Sequence, residues 1–153
     1  MTTPADPIAD GLRRVLAAEH QAVFGYPVLG VHLVDEARRE RARALEAAHR
    51  SNRDAVADQL TSRHADPVAA APGYPPPTPV TDPAAAAGWA VRIEETSAAA
   101  YRYLIGCAVR AGGSQQAVRR QALAGLSAAA LAAAYWRGLT TPDRPTTPFP
   151  GTS

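Results

Sequence analysis

Apolar residues near the start of the chain recur at Ile8, Leu12, Val15, Ala22, Tyr26, Leu29 and Leu33, in alternating steps of four and three. That spacing lines one face of an α-helix, and Glu19 fills the single gap in the series. Pro27 lies inside the segment, with Gly25 and Gly30 around it, so the pattern predicts one kinked helix starting after Pro7 and not two helices. A second helix is predicted from about Asp35 to His64. It opens on an Arg-rich stretch, Arg38 to Arg43, and carries Ala42, Leu45, His49, Val56 and Leu60 on one side. A third starts at Asp82-Pro83, a capping residue followed by proline at the first helical position. Its stripe is Ala87, Val91, Glu94, Ala98, Tyr101 and Ile105, and Gly112-Gly113 ends it. Ser114 is expected to cap a fourth, Ala-dominated helix that carries Val118, Leu126 and Trp136 and ends near Arg137.

The connections predict the topology. Six prolines fall in residues 67–79, with Tyr74 before three in a row, and such a stretch favours an extended polyproline conformation. Sixteen residues at about 3.1 Å each reach roughly 50 Å, whereas a helix of about 28 residues is roughly 42 Å long. The segment from 66 to 81 can therefore run the length of a bundle. The other two connections are short. Short, long, short is the loop pattern of a ferritin-like four-helix bundle with one long crossover, here between helices two and three. The predicted fold is thus all-α, with the bundle in residues 1–137 and an irregular tail in 138–153 that contains four prolines. Helices one and two should be antiparallel, and helix three parallel to helix two.

Composition narrows the function classes. A net charge of +2, with Arg and acidic residues interleaved, gives no basic surface for nucleic acid. The Arg38, Arg39, Arg41 and Arg43 cluster alternates with Asp35, Glu36, Glu40 and Glu46 at helical ion-pair spacings and reads as a solvated face. Cys107 is the lone cysteine, with no CxxC or Cys/His cluster around it, and should pack as a small core residue. Met1 is followed by polar residues without a leader pattern, and no apolar run reaches the roughly 18 residues of a membrane span, so a cytoplasmic protein away from membranes is expected. Ala-rich helices allow close backbone approach, which favours a homodimer.

The candidate chemistry is a buried polar layer. Glu19 and Glu94 interrupt apolar stripes, and counting from the helix starts puts both at the level of His49. Glu46 and His49, three apart, share one side of helix two. A Glu on one helix with Glu-x-x-His on the next is half of a di-metal carboxylate site, and that donor set suits iron or manganese. Three arrangements follow from these residues. One metal ion binds Glu19, Glu46, His49 and Glu94; or an arginine such as Arg53, or a protonated His49, neutralises the carboxylates without metal; or one acid is exposed. Tyr26 and Tyr101 sit at core positions where a hydroxyl can bond a buried Glu.

The stretches LAAEHQAVFGYPVLG and AHRSNRD, with FPG near the C-terminus, resemble an uncharacterised ferritin-like domain family of high-GC Gram-positive bacteria, over nearly the whole chain. The resemblance implies a fold and not a reaction; the wider ferritin-like superfamily implies iron storage, oxidase or hydroxylase chemistry. Carried over, it makes Glu19 the first-helix ligand, Glu46 and His49 the second-helix pair, and Glu94 or Glu95 the third-helix ligand. The fourth helix should repeat Glu-x-x-His, yet residues 114–137 contain no Asp, Glu or His. The leading expectation is therefore a structural or interaction module with a degenerate metal site and no cofactor. The alternative is a carboxylate-bridged iron or manganese oxidoreductase with an incomplete site. Whether the chain is an enzyme stays open.

Overall fold

A computed structural model describes residues 6–152; residues 1–5 and 153, part of the two predicted segments, lie outside the described residues. Four helices account for most of it: α1 (Pro7–Gly30), α2 (Glu36–Ser62), α3 (Pro83–Arg110) and α4 (Gln116–Thr140). There is no strand among the described residues. Asp6, Asp35 and Asp82 each accept a hydrogen bond from a backbone N–H in the first turn of the helix that follows, which satisfies donors the helix cannot pair itself. Proline follows the cap in α1 and α3. Pro27 sits inside α1, and the helix continues through it as one element.

Two expected boundaries differ. Ser114 does not cap α4: Gly112 and Gly113 both take φ near +60°, at +66° and +61°, and the chain needs two further residues to turn into the helix. Gln115 precedes the first turn and makes no side-chain cap bond. At its other end α4 runs to Thr140, three residues beyond Arg137.

Contacts fix the directions. Gly11 lies against Leu104 and Cys107 while Gly25 lies against Ile93 and Trp89, so α1 and α3 are antiparallel. Arg63 pairs with Asp6 and His49 with Glu19, so α1 and α2 are antiparallel. Arg119 reaches the carbonyl of Ala108 and Arg137 reaches Glu95, which makes α3 and α4 antiparallel. Gln59 meets Gln121, and Arg41 stacks over Tyr135, which orders α2 against α4 in the same way. Helices α2 and α3 are parallel and diagonal, as the crossover requires.

The crossover lies along the outside of α1. Arg13 Nε donates to the Asp66 carbonyl at 3.0 Å, His20 Nε2 lies 3.1 Å from the Val68 carbonyl, and Phe24 packs edge-on against Tyr74. His20 thus anchors the crossover from the surface of the bundle. Beyond α4 the tail turns back over α3 and α4. Arg137 donates to the Pro145 carbonyl at 2.8 Å, and Gly151, at φ +82°, sits so close that a Cβ there would meet the Ala98 carbonyl oxygen at 2.7 Å.

The core has two apolar halves. One gathers Ile8, Leu12, Leu16, Val56, Leu60, Leu104 and Val118; the other gathers Leu29, Leu33, Ala42, Trp89, Ile93 and Trp136. Each fully buried Leu contributes roughly 1.5–3 kcal/mol relative to exposure. Between the halves lies a polar layer.

Glycines test the packing. A Cβ at Gly125 of α4 would fall 2.4 Å from the Tyr101 ring, whose position is fixed at its hydroxyl, whereas a Cβ at Gly88 of α3 would meet nothing within 4 Å. Gly125→Ala is expected to destabilise by about 1–3 kcal/mol through overpacking, and Gly88→Ala to stabilise by about 0.5–1 kcal/mol through helix propensity alone. Chemical denaturation of the two variants checks both signs.

Candidate functional site

Glu19 of α1, His49 of α2 and Glu94 of α3 converge at one level of the bundle, all buried. The His49 Nδ1 lies 2.6 Å from Glu19 Oε2, and its Nε2 lies 3.1 Å from Glu94 Oε1. A carboxylate oxygen only accepts hydrogen bonds, so each ring nitrogen must carry a proton to face one. The arrangement therefore calls for an imidazolium bridging two carboxylates. Tyrosines close the layer from above and below. The Tyr101 hydroxyl donates to Glu19 Oε1 at 2.7 Å, and the Tyr26 hydroxyl donates to Glu94 Oε1. Trp136 Nε1 in turn donates to the Tyr26 hydroxyl at 3.1 Å, and the Tyr26 ring stacks on His49 with centroids 5.5 Å apart.

The electrostatics follow from this geometry. Burial by itself pushes the His49 pKa down, but the hydrogen bonds and charges of Glu19 and Glu94 outweigh it and push the ring up to about 10. Burial, reinforced by the neighbouring carboxylates, raises both phenols: Tyr26 beside Glu94 and Tyr101 beside Glu19 lie well above the ordinary tyrosine range. Both hydroxyls accordingly keep their protons and serve as donors.

Glu46 does not join the layer. Residues three apart on a helix point about 60° from each other, and that rotation takes Glu46 to the rim, where it accepts from Arg50 at 2.5 Å. Glu95, the other third-helix candidate, pairs with Arg92 and Arg137 near the surface. Arg53 pairs with Asp54 and takes no part in neutralising the layer. In the Arg-rich stretch, Arg39 and Arg43 share Glu36.

The donor set can be weighed against iron or manganese directly. A metal-bound imidazole presents a lone pair to the ion. Here both ring nitrogens are directed at carboxylates, and the ring stands between Glu19 and Glu94 where a bridging ion would sit. Among the described residues, no group of three or more His, Cys, Asp or Glu side chains has the arrangement of a metal site. As arranged, the residues do not fit the ion. The fourth wall is made without ligands: α4 contributes Gly125, which leaves room for Tyr101, and Trp136, which orients Tyr26. The sequence marks Trp136 only as a residue of the α4 core stripe, and nothing local shows that its N–H meets the Tyr26 hydroxyl.

The layer makes stability depend on pH. The ring's pKa is raised from about 6.5 unfolded to about 10 folded, so its contribution is fully present below pH 6.5 and is lost as pH rises through 10. Stability from urea titrations should therefore fall between pH 6.5 and 10, with a slope of at most about 1.4 kcal/mol per pH unit for one proton. His49→Gln should be less stable at pH 6 and lose most of that slope.

No curated protein matches the chain in sequence. No helix among the described residues is long and apolar enough to cross a membrane. A crystal structure of a conserved hypothetical protein, rv2844, from Mycobacterium tuberculosis is similar to it, with 27% sequence identity and a TM-score of 0.79. The likeness covers 90% of this chain and 99% of the other. The family match runs over residues 11–153, nearly the whole chain, and includes most of α1, the other three helices, the crossover and the returning tail. The chain belongs to the family described as a domain of unknown function, DUF4439.

Proposed function

We propose that the chain is a ferritin-like bundle that serves as a structural or interaction module in the cytoplasm, acts as a homodimer, and carries a degenerate metal site. The observation that carries this reading is His49 bonded through both ring nitrogens to Glu19 and Glu94. The imidazolium supplies the positive charge that an ion supplies in a metal-loaded bundle, and it does so without exchange or redox chemistry. The layer then sets helix register and orientation, a role for which buried polar groups are well suited. Removing one partner strands the others: Glu94→Ala leaves Tyr26 without its acceptor and the ring with one counter-charge.

A second reading has one observation in its favour. Tyr26 and Glu46 both line an opening of about 290 Å³ between α1 and α2, beside Arg39 and Arg43. A different rotamer of Glu46 would bring its carboxylate towards His49, and Glu19, Glu46, His49 and Glu94 would then offer the oxygen-rich donor set of a carboxylate-bridged iron or manganese oxidoreductase.

Melting the wild type and Glu19→Gln with and without added iron(II) or manganese(II) separates the two. The module reading expects neither protein to shift, little or no stoichiometric metal by elemental analysis of protein purified without chelators, and only a modest loss of stability in Glu19→Gln. A metal-dependent rise in melting temperature confined to the wild type would establish a metal bound by the layer and overturn the module reading.

A further inference from the structure

The returning tail frames a cavity together with α3 and α4. Helix α3 presents Glu95 and Ala98 to it, and antiparallel α4 presents Ala130, Ala134 and Arg137 at helical spacing. Residues 146–152 run along the groove between the two helices, and Phe149 and Pro150 line the space from the tail side. Its volume is about 180 Å³. An apolar cavity of about 150 Å³ is enough to hold a benzene ring. The floor is alanine, so the space beneath the tail stays open where longer side chains would fill it. None of the residues of the polar layer lines it.

The tail is seated on both sides of this space. Arg137 Nη1 donates to the Pro145 carbonyl at 2.8 Å, and Arg102 Nη1 donates to the Gly151 carbonyl at 3.5 Å. Gly151 rests against the Ala98 carbonyl, and the Thr152 hydroxyl closes the turn on the Phe149 carbonyl at 2.7 Å. These contacts hold Phe149 and Pro150 above the alanine floor. One end of the cavity is charged. Arg137, 15% exposed, pairs with Glu95, and Glu95 also pairs with Arg92. Two guanidinium groups thus share one carboxylate, which leaves a surplus of positive charge. A guanidinium carries five N–H donors. Among the described residues Arg137 spends Nη1 on Pro145 and Nη2 on Glu95, so further donors remain at the cavity wall. Such donors bind a carboxylate more strongly than a neutral oxygen. A cationic guest would be repelled there. The apolar remainder suits a flat ring, to which Phe149 offers an aromatic neighbour.

We infer that the cavity beneath the tail binds a small aromatic monocarboxylate, its ring on the alanine floor against Phe149 and Pro150 and its carboxylate on Arg137. The site is separate from the His49 layer, so its failure leaves the reading of that layer untouched.

Titration of the full chain with phenylacetate, followed by calorimetry and by amide chemical shifts, tests it. The wild type should bind one equivalent saturably, with the largest shifts at Ala98, Ala134 and Gly151. The uncharged 2-phenylethanol should bind about tenfold more weakly, since it offers Arg137 no charged acceptor, and acetate, which has no ring, should not compete. Ala134→Leu fills the cavity and keeps Arg137 and Glu95, and it should lose binding with unchanged helix content by circular dichroism. Gly151→Ala, outside the helices, should also lose it, because a Cβ there collides with the Ala98 carbonyl and lifts the tail. If Ala134→Leu were to misfold, Gly151→Ala and the ligand comparison still decide. Absence of saturable binding by the wild type at millimolar phenylacetate overturns the proposal. So does binding that both variants retain, which places the ligand elsewhere, or equal affinity for 2-phenylethanol, which removes the role of Arg137.

Discussion

One imidazole held between two carboxylates is the constraint on which the rest of the bundle depends. Carboxylates in an apolar core cost several kcal/mol each unless their oxygens are paired. Glu19 meets that condition with both oxygens, one on the ring and one on Tyr101, and Glu94 takes the same ring and Tyr26 on its Oε1. The pairing works only if three helices present their central residues at the same height. A one-residue slip of any of them turns its side chain by about 100° and leaves an unpaired charge in the core. Apolar packing above and below the layer tolerates small shifts; the layer does not. Sequence, through two glutamates and one histidine, thereby becomes helix register.

The layer is lopsided, and α4 shows why it still closes. Three helices supply the charged groups and the fourth supplies none. Its contribution is shape at Gly125 and a hydrogen bond at Trp136. Tyr101 rises from one half of the core to Glu19, and Tyr26 descends from the other to Glu94. Each hydroxyl occupies a lone pair that would otherwise face hydrocarbon. The chain from Trp136 through Tyr26, Glu94, His49 and Glu19 to Tyr101 links all four helices. Its members are mutually dependent, so the effect of losing one is set by what happens to the next.

Much of this was legible in the sequence, because it depends on local rules. The three-four spacing marked the helices, Asp82-Pro83 marked a start, and the proline run marked a connection too stiff to be a tight turn. Counting along the helices was enough to place Glu19, His49 and Glu94 at one level, since rise per residue is nearly constant. Orientation was less legible. Glu46 shares a side of α2 with His49, but a rotation of one sixth of a turn separates interior from rim, and only the position of α1 decides which side of that line it falls on. The start of α4 is not legible at Ser114, because two consecutive glycines at positive φ turn the chain before that residue can act as a cap. The tail's path over α3 and α4 depends on long-range contacts such as Arg137 with Pro145, which no local pattern encodes.

Helix α4 raises a last question, because a helix apolar on nearly every side has no strong preference for which face it buries. Leu123 and Leu131 could pack inward as readily as Leu126 on hydrophobicity alone. Two specific fits decide the rotation. Only the Gly125 side accommodates the Tyr101 ring, where any larger residue would collide with it. Only the same rotation brings the Trp136 N–H to the Tyr26 hydroxyl. Both tyrosines are held by the polar layer, so the layer orients a helix that donates nothing charged to it. Leu123 and Leu131 then face outward as a consequence. What the layer fixes inside the bundle is, by that route, also what presents an apolar surface to the outside.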